Sequence, residues 1–251
     1  MQIIVDDLLT NYLIQGSGKT VLLLHGWGDK LSTFDKLTES LEPQYRVIRL
    51  DLPGFGGTET PKKTYSLNLF SNFIKKFLQK IECDNIYAII GHSNGGAIAI
   101  KGLSDGLIDC EKLVLLASSG IRTEHKGRKK VFRLAAKTAK FSTKILPAKT
   151  QVKLKKKAYK YIGSDMFVAE NMQETFKQVL SEDLVEDSRN IISKTLLLYG
   201  SQDEATPVEY GQKYSDNIKD SKLVVIKGAG HFLHKTNSDE VESLTKAFLE
   251  Q

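Results

Sequence analysis

The segment Gly91-His92-Ser93-Asn94-Gly95 contains a serine hydroxyl with a glycine two positions away on each side. An apolar run, Tyr87–Ile90, leads into it, and a helix-forming run, Gly96–Leu103, follows it. A G-x-S-x-G between a buried strand and a helix is a nucleophile elbow. The turn is so tight that the serine is forced into a strained backbone conformation with its Oγ exposed. Glycines at both sides remove Cβ atoms that would collide there. The helix N-terminus behind the serine favours a developing oxyanion.

A serine nucleophile needs a base, and the base needs an orienting acid. The chain has five histidines: His25, His92, His125, His231 and His234. His92 lies inside the elbow, where its side chain cannot easily face Ser93. His125 sits in a basic stretch and reads as solvated. His231, in GAGHFLH, directly follows the last strand-like run and so falls at the same sheet edge as Ser93. It is the favoured base. His234, three residues on, reads as packing at a helix start. For the acid, the loop SGIRT after Lys112–Ser118 has no carboxylate, whereas SQDEATP after Lys194–Gly200 offers Asp203 and Glu204. Spacing from the strand favours Asp203, the alternative being a cap for the helix that starts near Pro207. Ser93, Asp203 and His231 stand in the chain order this elbow predicts. The chemistry expected is acyl transfer through an acyl-enzyme, with His231 moving the protons. Neither a phosphate-binding glycine loop nor clustered metal ligands accompany it, so no metal or organic cofactor is expected.

Strand-sized apolar runs must hold these residues in place. They occur at Val21–His25, Tyr45–Asp51, Ile86–Gly91, Lys112–Ser118, Lys194–Gly200 and Lys222–Gly228. Most are continuous rather than alternating, the pattern of parallel strands buried on both faces. Weaker runs at Ile3–Val5 and Tyr12–Ile14 predict an antiparallel edge. Helix-length segments separate the later strands; Leu67–Ile81 carries Leu69, Phe73, Phe77, Leu78 and Ile81 along one face. The expectation is an α/β fold: a mostly parallel central sheet with helices on both faces and right-handed crossovers. A helical cap is inserted after the sixth core strand. This places the core at residues 1–120 and 191–251 and the cap at 121–190.

The charge is just as segmented. The net charge is +6, yet Arg122–Lys160 holds fifteen Lys and Arg against the single acid Glu124, while residues 161–190 hold two basic and seven acidic side chains. Arg133, Lys137, Lys140 and Lys144 recur at helical spacing beside Leu134, Thr138, Phe141 and Ile145, up to Pro147. A second basic helix is expected around Val152–Tyr161 and a more acidic one around Ala169–Leu180. Such a lid is either a solvated surface or an attractor for an anionic partner, such as an acidic carrier protein, an anionic substrate or an anionic lipid surface. Nucleic acid fits poorly, because Phe132, Phe141, Tyr159 and Tyr161 read as core-facing. A hydrophobic content of 41% supports a full core, and no run approaches a membrane span. The N-terminus shows no basic leader. With only Cys83 and Cys110, a cytoplasmic protein with free thiols is expected.

Taken together, the motifs resemble the α/β-hydrolase superfamily, in its smaller, cap-bearing, esterase-like form. LLLHGWGD (Leu22–Asp29) is similar to the family's HG loop, DLPGFGGT (Asp51–Thr58) to its D-x-x-G-x-G turn, and GHSNGG, YGSQDEATP and GAGHF to its catalytic segments. The resemblance spans Val21 to about Phe232, apart from the insert. It implies that the backbone N–H groups of Trp27 and Asn94 form the oxyanion hole, with His25 and Gly26 supporting that loop. Thr58, where many relatives carry Ser, is a departure that bears on packing. A serine nucleophile argues against relatives that displace at carbon with an aspartate. The expected activity is hydrolysis of short- to medium-chain carboxylic esters, with lactones as an extension. C–C bond hydrolysis, a cofactor-free lyase step and a thioester or acyl-carrier-protein esterase are the alternatives. HGWG also occurs in esterases that cleave pimeloyl esters on acyl-carrier protein. A ligand receptor on the same scaffold is a third class, and the charged lid argues against it.

Overall fold

The structure is a computed structural model that describes residues 1–122 and 170–251. Eight strands form one sheet: β1 (Gln2–Val5), β2 (Leu8–Gln15), β3 (Lys19–Leu24), β4 (Tyr45–Leu50), β5 (Ala88–His92), β6 (Lys112–Leu116), β7 (Lys194–Gly200) and β8 (Ser221–Ile226). Their spatial order is β1-β2-β4-β3-β5-β6-β7-β8. The β1–β2 and β2–β4 pairs are antiparallel, and every pair from β4 to β8 is parallel. The two weak N-terminal runs thus form the antiparallel edge expected of them. They are joined through Asp6 and Asp7, both at positive φ (48° and 61°), the signature of a two-residue hairpin turn.

Continuous apolar runs make the centre of this sheet. Every residue of β5 and β6 is buried, as is all of β3 after Lys19, because helices cover both faces. Alternate side chains of one strand divide between two cores. Leu22 and Leu24 join Phe70, Phe73, Phe77, Ile98 and Tyr214 on one face, while Val21 and Leu23 join Phe34, Leu41, Val241 and Phe248 on the other. The first face is covered by α2 (Leu67–Lys80) and α3 (Asn94–Ser104), the second by α1 (Asp35–Leu41) and a C-terminal helix, Ser238–Leu249.

Helix α2 starts where Ser66 Oγ accepts the Leu69 N–H at 3.2 Å, a side-chain N-cap. Its buried stripe is centred on Phe70, Phe73, Ile74 and Phe77, whereas Leu69 and Ile81 pack only at the margin of the core. Phe73, Phe77 and Leu78 of the expected face are buried as predicted, and Phe70 and Ile74 complete the stripe in place of Leu69 and Ile81.

The described region resumes in a 3-10 turn, Glu170–Met172, that leads into α4 (Gln173–Ser181), near the acidic helix expected at Ala169–Leu180. Its Thr175 hydroxyl accepts the Tyr65 N–H at 3.0 Å, and Glu182 accepts the Leu67 N–H at 3.1 Å. These bonds tie this end of the insert to the start of α2. The basic helices expected near 133–145 and 152–161, His125 and most of the expected 121–190 insert lie outside the described residues. Among the described residues, no helix is long and apolar enough to cross a membrane.

Candidate active site

The site is assembled at the carboxyl edge of the parallel strands. Strand β5 ends at His92, and α3 begins at Asn94, which leaves Ser93 alone to make the turn. Ser93 sits at φ 50°, ψ −114°, a conformation that costs roughly 1–3 kcal/mol for a residue with a Cβ. The glycines explain how the turn closes. A Cβ on Gly91 would lie 2.5 Å from Gly96 Cα, and one on Gly95 would lie 2.1 Å from the Leu24 carbonyl oxygen. Gly91 thus lets strand and helix touch, and Gly95 lets α3 rest on the end of β3. Two backbone bonds fix the turn from outside: Ser93 N–H donates to Leu116 O at 3.0 Å, and Ser119 N–H to Ser93 O at 3.1 Å.

Three side chains from separate segments meet there. Ser93 Oγ lies 3.0 Å from His231 Nε2, and His231 Nδ1 lies 2.8 Å from Asp203 Oδ2. Asp203 follows β7 and His231 follows β8, so adjacent parallel strands deliver both to one edge. The Asp203 side chain is fully buried. Burial alone would raise its carboxyl, but the His231 ring and the Thr206 N–H and hydroxyl hold it below the ordinary value. A carboxylate kept ionised against an imidazole Nδ1–H fixes the tautomer that leaves Nε2 free to accept a proton. Asp203 does not cap the helix at Val208–Asn217, which has no side-chain cap; its Oδ1 instead accepts Ala205 N–H at 2.8 Å and Thr206 N–H at 3.0 Å in the preceding turn, while Oδ2 faces the histidine. Glu204 has no part in this contact.

Thr206 was not visible as a site residue in the sequence. Its hydroxyl lies 2.7 Å from Asp203 Oδ2, 2.9 Å from the Ala117 carbonyl and 3.1 Å from His231 Nδ1. The available signal was a threonine three positions after an aspartate, the spacing of a local side-chain turn. Ala117 itself sits at φ 46° where β6 ends.

The loop after β3 packs directly on the elbow. A Cβ on Gly26 would approach His92 Nδ1 at 2.8 Å and Ser93 Cβ at 3.2 Å. His25 is fully committed within this loop. Its Nε2 accepts Leu52 N–H at 2.9 Å, so Nδ1 carries the proton donated to Gly26 O at 2.8 Å. Burial lowers its affinity for a second proton, with the Gly26 bond opposing. Asp51 holds the following turn, accepting Leu31 N–H at 2.6 Å and Gly57 N–H at 2.8 Å. Thr58 donates to Asp51 O at 2.7 Å and accepts Asn11 N–H at 3.0 Å, so its hydroxyl packs this turn without disturbance.

Apolar walls rise on the loop side. The Trp27 ring stands 4.8 Å from Phe55 and 4.9 Å from Phe176 of α4. Met172 lies where a Cβ on Gly54 would touch it at 2.8 Å. The indole Nε1 of Trp27 and both amide atoms of Asn94 are buried with no hydrogen-bond partner among the described residues.

His234 occupies the short helix Leu233–Thr236, as expected of it, and is buried. Its Nε2 lies 2.9 Å from Thr33 Oγ1, which donates to Asp29 Oδ2 at 2.7 Å. Lys235 reaches the same carboxylate oxygen at 3.0 Å. Burial, then Lys235, lowers the His234 ring to about 4. It is thus a neutral, structural imidazole. No group of three or more His, Cys, Asp and Glu among the described residues could hold a metal ion.

This fold and edge define a hydrolase scaffold, and comparison with known proteins gives its family. The chain belongs to the alpha/beta hydrolase family, whose model it matches over residues 21–244. It is 26% identical to a 2-hydroxy-6-oxo-6-(2'-aminophenyl)hexa-2,4-dienoic acid hydrolase of Metapseudomonas resinovorans, over 96% of this chain and 87% of that one. It is also 26% identical to a pimeloyl-[acyl-carrier protein] methyl ester esterase of Aliivibrio fischeri, over 94% and 96% of the two chains. An esterase from Exiguobacterium antarcticum superposes with a TM-score of 0.78 at 21% identity, covering 100% of this chain and 99% of that one. The last likeness is one of fold.

Proposed function

We propose that this protein is a serine hydrolase of carboxylic esters, acting on short- to medium-chain acyl esters and on lactones through an acyl-enzyme. The observation that carries this reading is the continuous contact Ser93 Oγ–His231 Nε2–Asp203 Oδ2, at 3.0 and 2.8 Å. In the first step Ser93 Oγ attacks the ester carbonyl while its proton passes to His231 Nε2. The C–O bond to the leaving group then breaks, and His231 returns that proton to the departing alkoxide. In the second step His231 takes a proton from water, the hydroxide attacks the acyl carbon, and Ser93 Oγ leaves with the proton restored. Asp203 stabilises the imidazolium in both steps. The backbone N–H groups of Trp27 and Asn94 receive the oxyanion, and His25 and Gly26 support the loop that carries the first of them.

The described end of the expected 121–190 insert supports a cap at this site: Phe176 packs on Trp27 and Met172 on Gly54, beside the loop that carries the first oxyanion donor. The basic stretch at 122–160 attracts an anionic substrate or an acidic carrier protein, in keeping with the pimeloyl-carrier relative. Buried thiols at Cys83 and Cys110 suit the reducing cytoplasm. A second reading, C–C bond hydrolysis by the same residues, is favoured by the dienoic acid hydrolase relative, which aligns over 96% of this chain.

The test is turnover of p-nitrophenyl esters from acetate to decanoate, of homoserine lactones and of a vinylogous diketone, by wild type and Ser93→Ala. Ester turnover that falls by about 10,000-fold or more in the variant supports the proposal. Undiminished turnover in Ser93→Ala overturns the mechanism, and turnover of the diketone alone moves the assignment to C–C hydrolysis.

A further inference from the structure

His92 precedes the candidate nucleophile, yet its ring makes no bond to Ser93. Its Nε2 lies 3.0 Å from the backbone carbonyl of His231, 139 residues away. A carbonyl only accepts, so Nε2 carries the proton and Nδ1 is bare. The bare Nδ1 faces Gly26, where a Cβ would come within 2.8 Å of it, and it has no partner among the described residues. The ring is 1% exposed. It lies 4.9 Å from the His231 ring, 4.3 Å from the His234 ring and 5.5 Å from Phe232, centroid to centroid. One side chain therefore touches the loop that supplies the base and the loop proposed to supply an oxyanion donor. Its own backbone is the last residue of the strand that enters the elbow.

Packing alone does not explain an imidazole here. Burying a ring nitrogen with an unfilled lone pair carries a free-energy penalty that an apolar side chain of similar volume avoids. What the imidazole adds is a single N–H, and that N–H is directed at the peptide of the candidate general base. We infer that His92 is a positioning residue: its Nε2–H holds the His231 main chain at the elbow and so sets the distance between the imidazole and Ser93 Oγ. His231 stands on a loop between β8 and the Leu233–Thr236 helix, so without this bond its register against Ser93 rests on flanking contacts. A misplacement of about 1 Å in such a pair is enough to cost on the order of 100-fold in rate.

The inference rests on the Ser93–His231–Asp203 reading, and the experiment separates the two. Wild type, Ser93→Ala, His92→Phe, His92→Met and His92→Gln are each reacted with a fluorophosphonate, recording both the amplitude and the rate constant of labelling. Each is then assayed for kcat and KM on p-nitrophenyl acetate. Amplitude counts folded sites, so a variant that folds poorly loses amplitude while its rate constant still reports on the sites that remain. In His92→Phe and His92→Met, both without a donor, the labelling rate and kcat should fall about 10- to 100-fold, with KM within about twofold of wild type. His92→Gln restores an N–H donor and should recover about tenfold of that loss. Wild-type rates in either donor-free variant, or a glutamine no faster than both, would overturn the inference. Labelling of Ser93→Ala at the wild-type rate would instead overturn the reading beneath it.

Discussion

The two edges of the central sheet are built from the same strands and do opposite things. At the carboxyl edge, Ser93 and Ala117 hold positive φ. Trp27, His92, Asn94 and His234 each bury at least one polar atom that has no hydrogen-bond partner among the described residues. At the amino edge, the buried Lys112 and Ser193 are both partnered. Lys112, at the start of β6, donates from Nζ to Phe248 O at 2.9 Å and Leu249 O at 2.8 Å, which closes the C-terminus of the last helix. Beside it, Ser193 Oγ donates to Cys110 O at 2.8 Å, and burial first of all pushes the Cys110 thiol up to about 12, which keeps it inert. Strain and unsatisfied polarity occur elsewhere too, at Glu82 (φ 52°) before β5 and at buried atoms of Thr38, Arg49 and Thr245, but at the carboxyl edge they gather in the loops that carry Ser93 and His231. A substitution at one edge should therefore change chemistry, and one at the other should change stability.

The largest effect expected is at the carboxyl edge: Asp203→Asn should lower kcat by about 1,000- to 10,000-fold, because the amide favours the wrong His231 tautomer. Circular dichroism and the melting temperature check that the fold survives; activity within tenfold of wild type would show that Asp203 only caps its turn. At the amino edge Lys112→Met should cost about 2–3 kcal/mol, by loss of two charged hydrogen bonds at buried carbonyls. Urea denaturation measures that loss, while kcat per folded molecule should stay at the wild-type value. A kcat that falls with stability would mean that the two edges are not separable.

A smaller effect lies in the response to pH. His234 is held at about 4 in the folded chain, against about 6.5 when unfolded. Below pH 6.5 the unfolded chain takes up a proton that the folded chain refuses. The stability this neutral ring confers is fully present above 6.5 and is lost as pH falls toward 4, to a limit of about 3 kcal/mol. His92 and His25, also lowered chiefly by burial, act with the same sign. Urea midpoints at pH 7.5 and 5 should differ less in His234→Gln than in wild type; equal differences would contradict the assignment.

Much of this was legible in the chain itself, for physical reasons that differ by residue. Strands buried on both faces must be continuously apolar, so β3 to β7 stood out. The elbow glycines are forced by close backbone approach, so a five-residue pattern marked them. The boundaries were less visible: β5 begins at Ala88 and ends on His92, two and one residues later than the apolar run. The role of Thr206 and the bond from His92 to His231 were not legible. Each depends on segments brought together only by the sheet, and no local period encodes a contact across 139 residues. The stretch 122–160 is the part least covered by motifs, because a run of cations at helical spacing fixes no fold.

The central claim is that Ser93 is a nucleophile activated by His231. The most direct test is intact-mass and peptide mapping of the chain after reaction with a fluorophosphonate at neutral pH. One adduct per chain is expected, on the peptide that carries Ser93, formed far more slowly in His231→Asn. A chain that stays unlabelled, or an adduct on another residue while Ser93 stays unmodified, would contradict it.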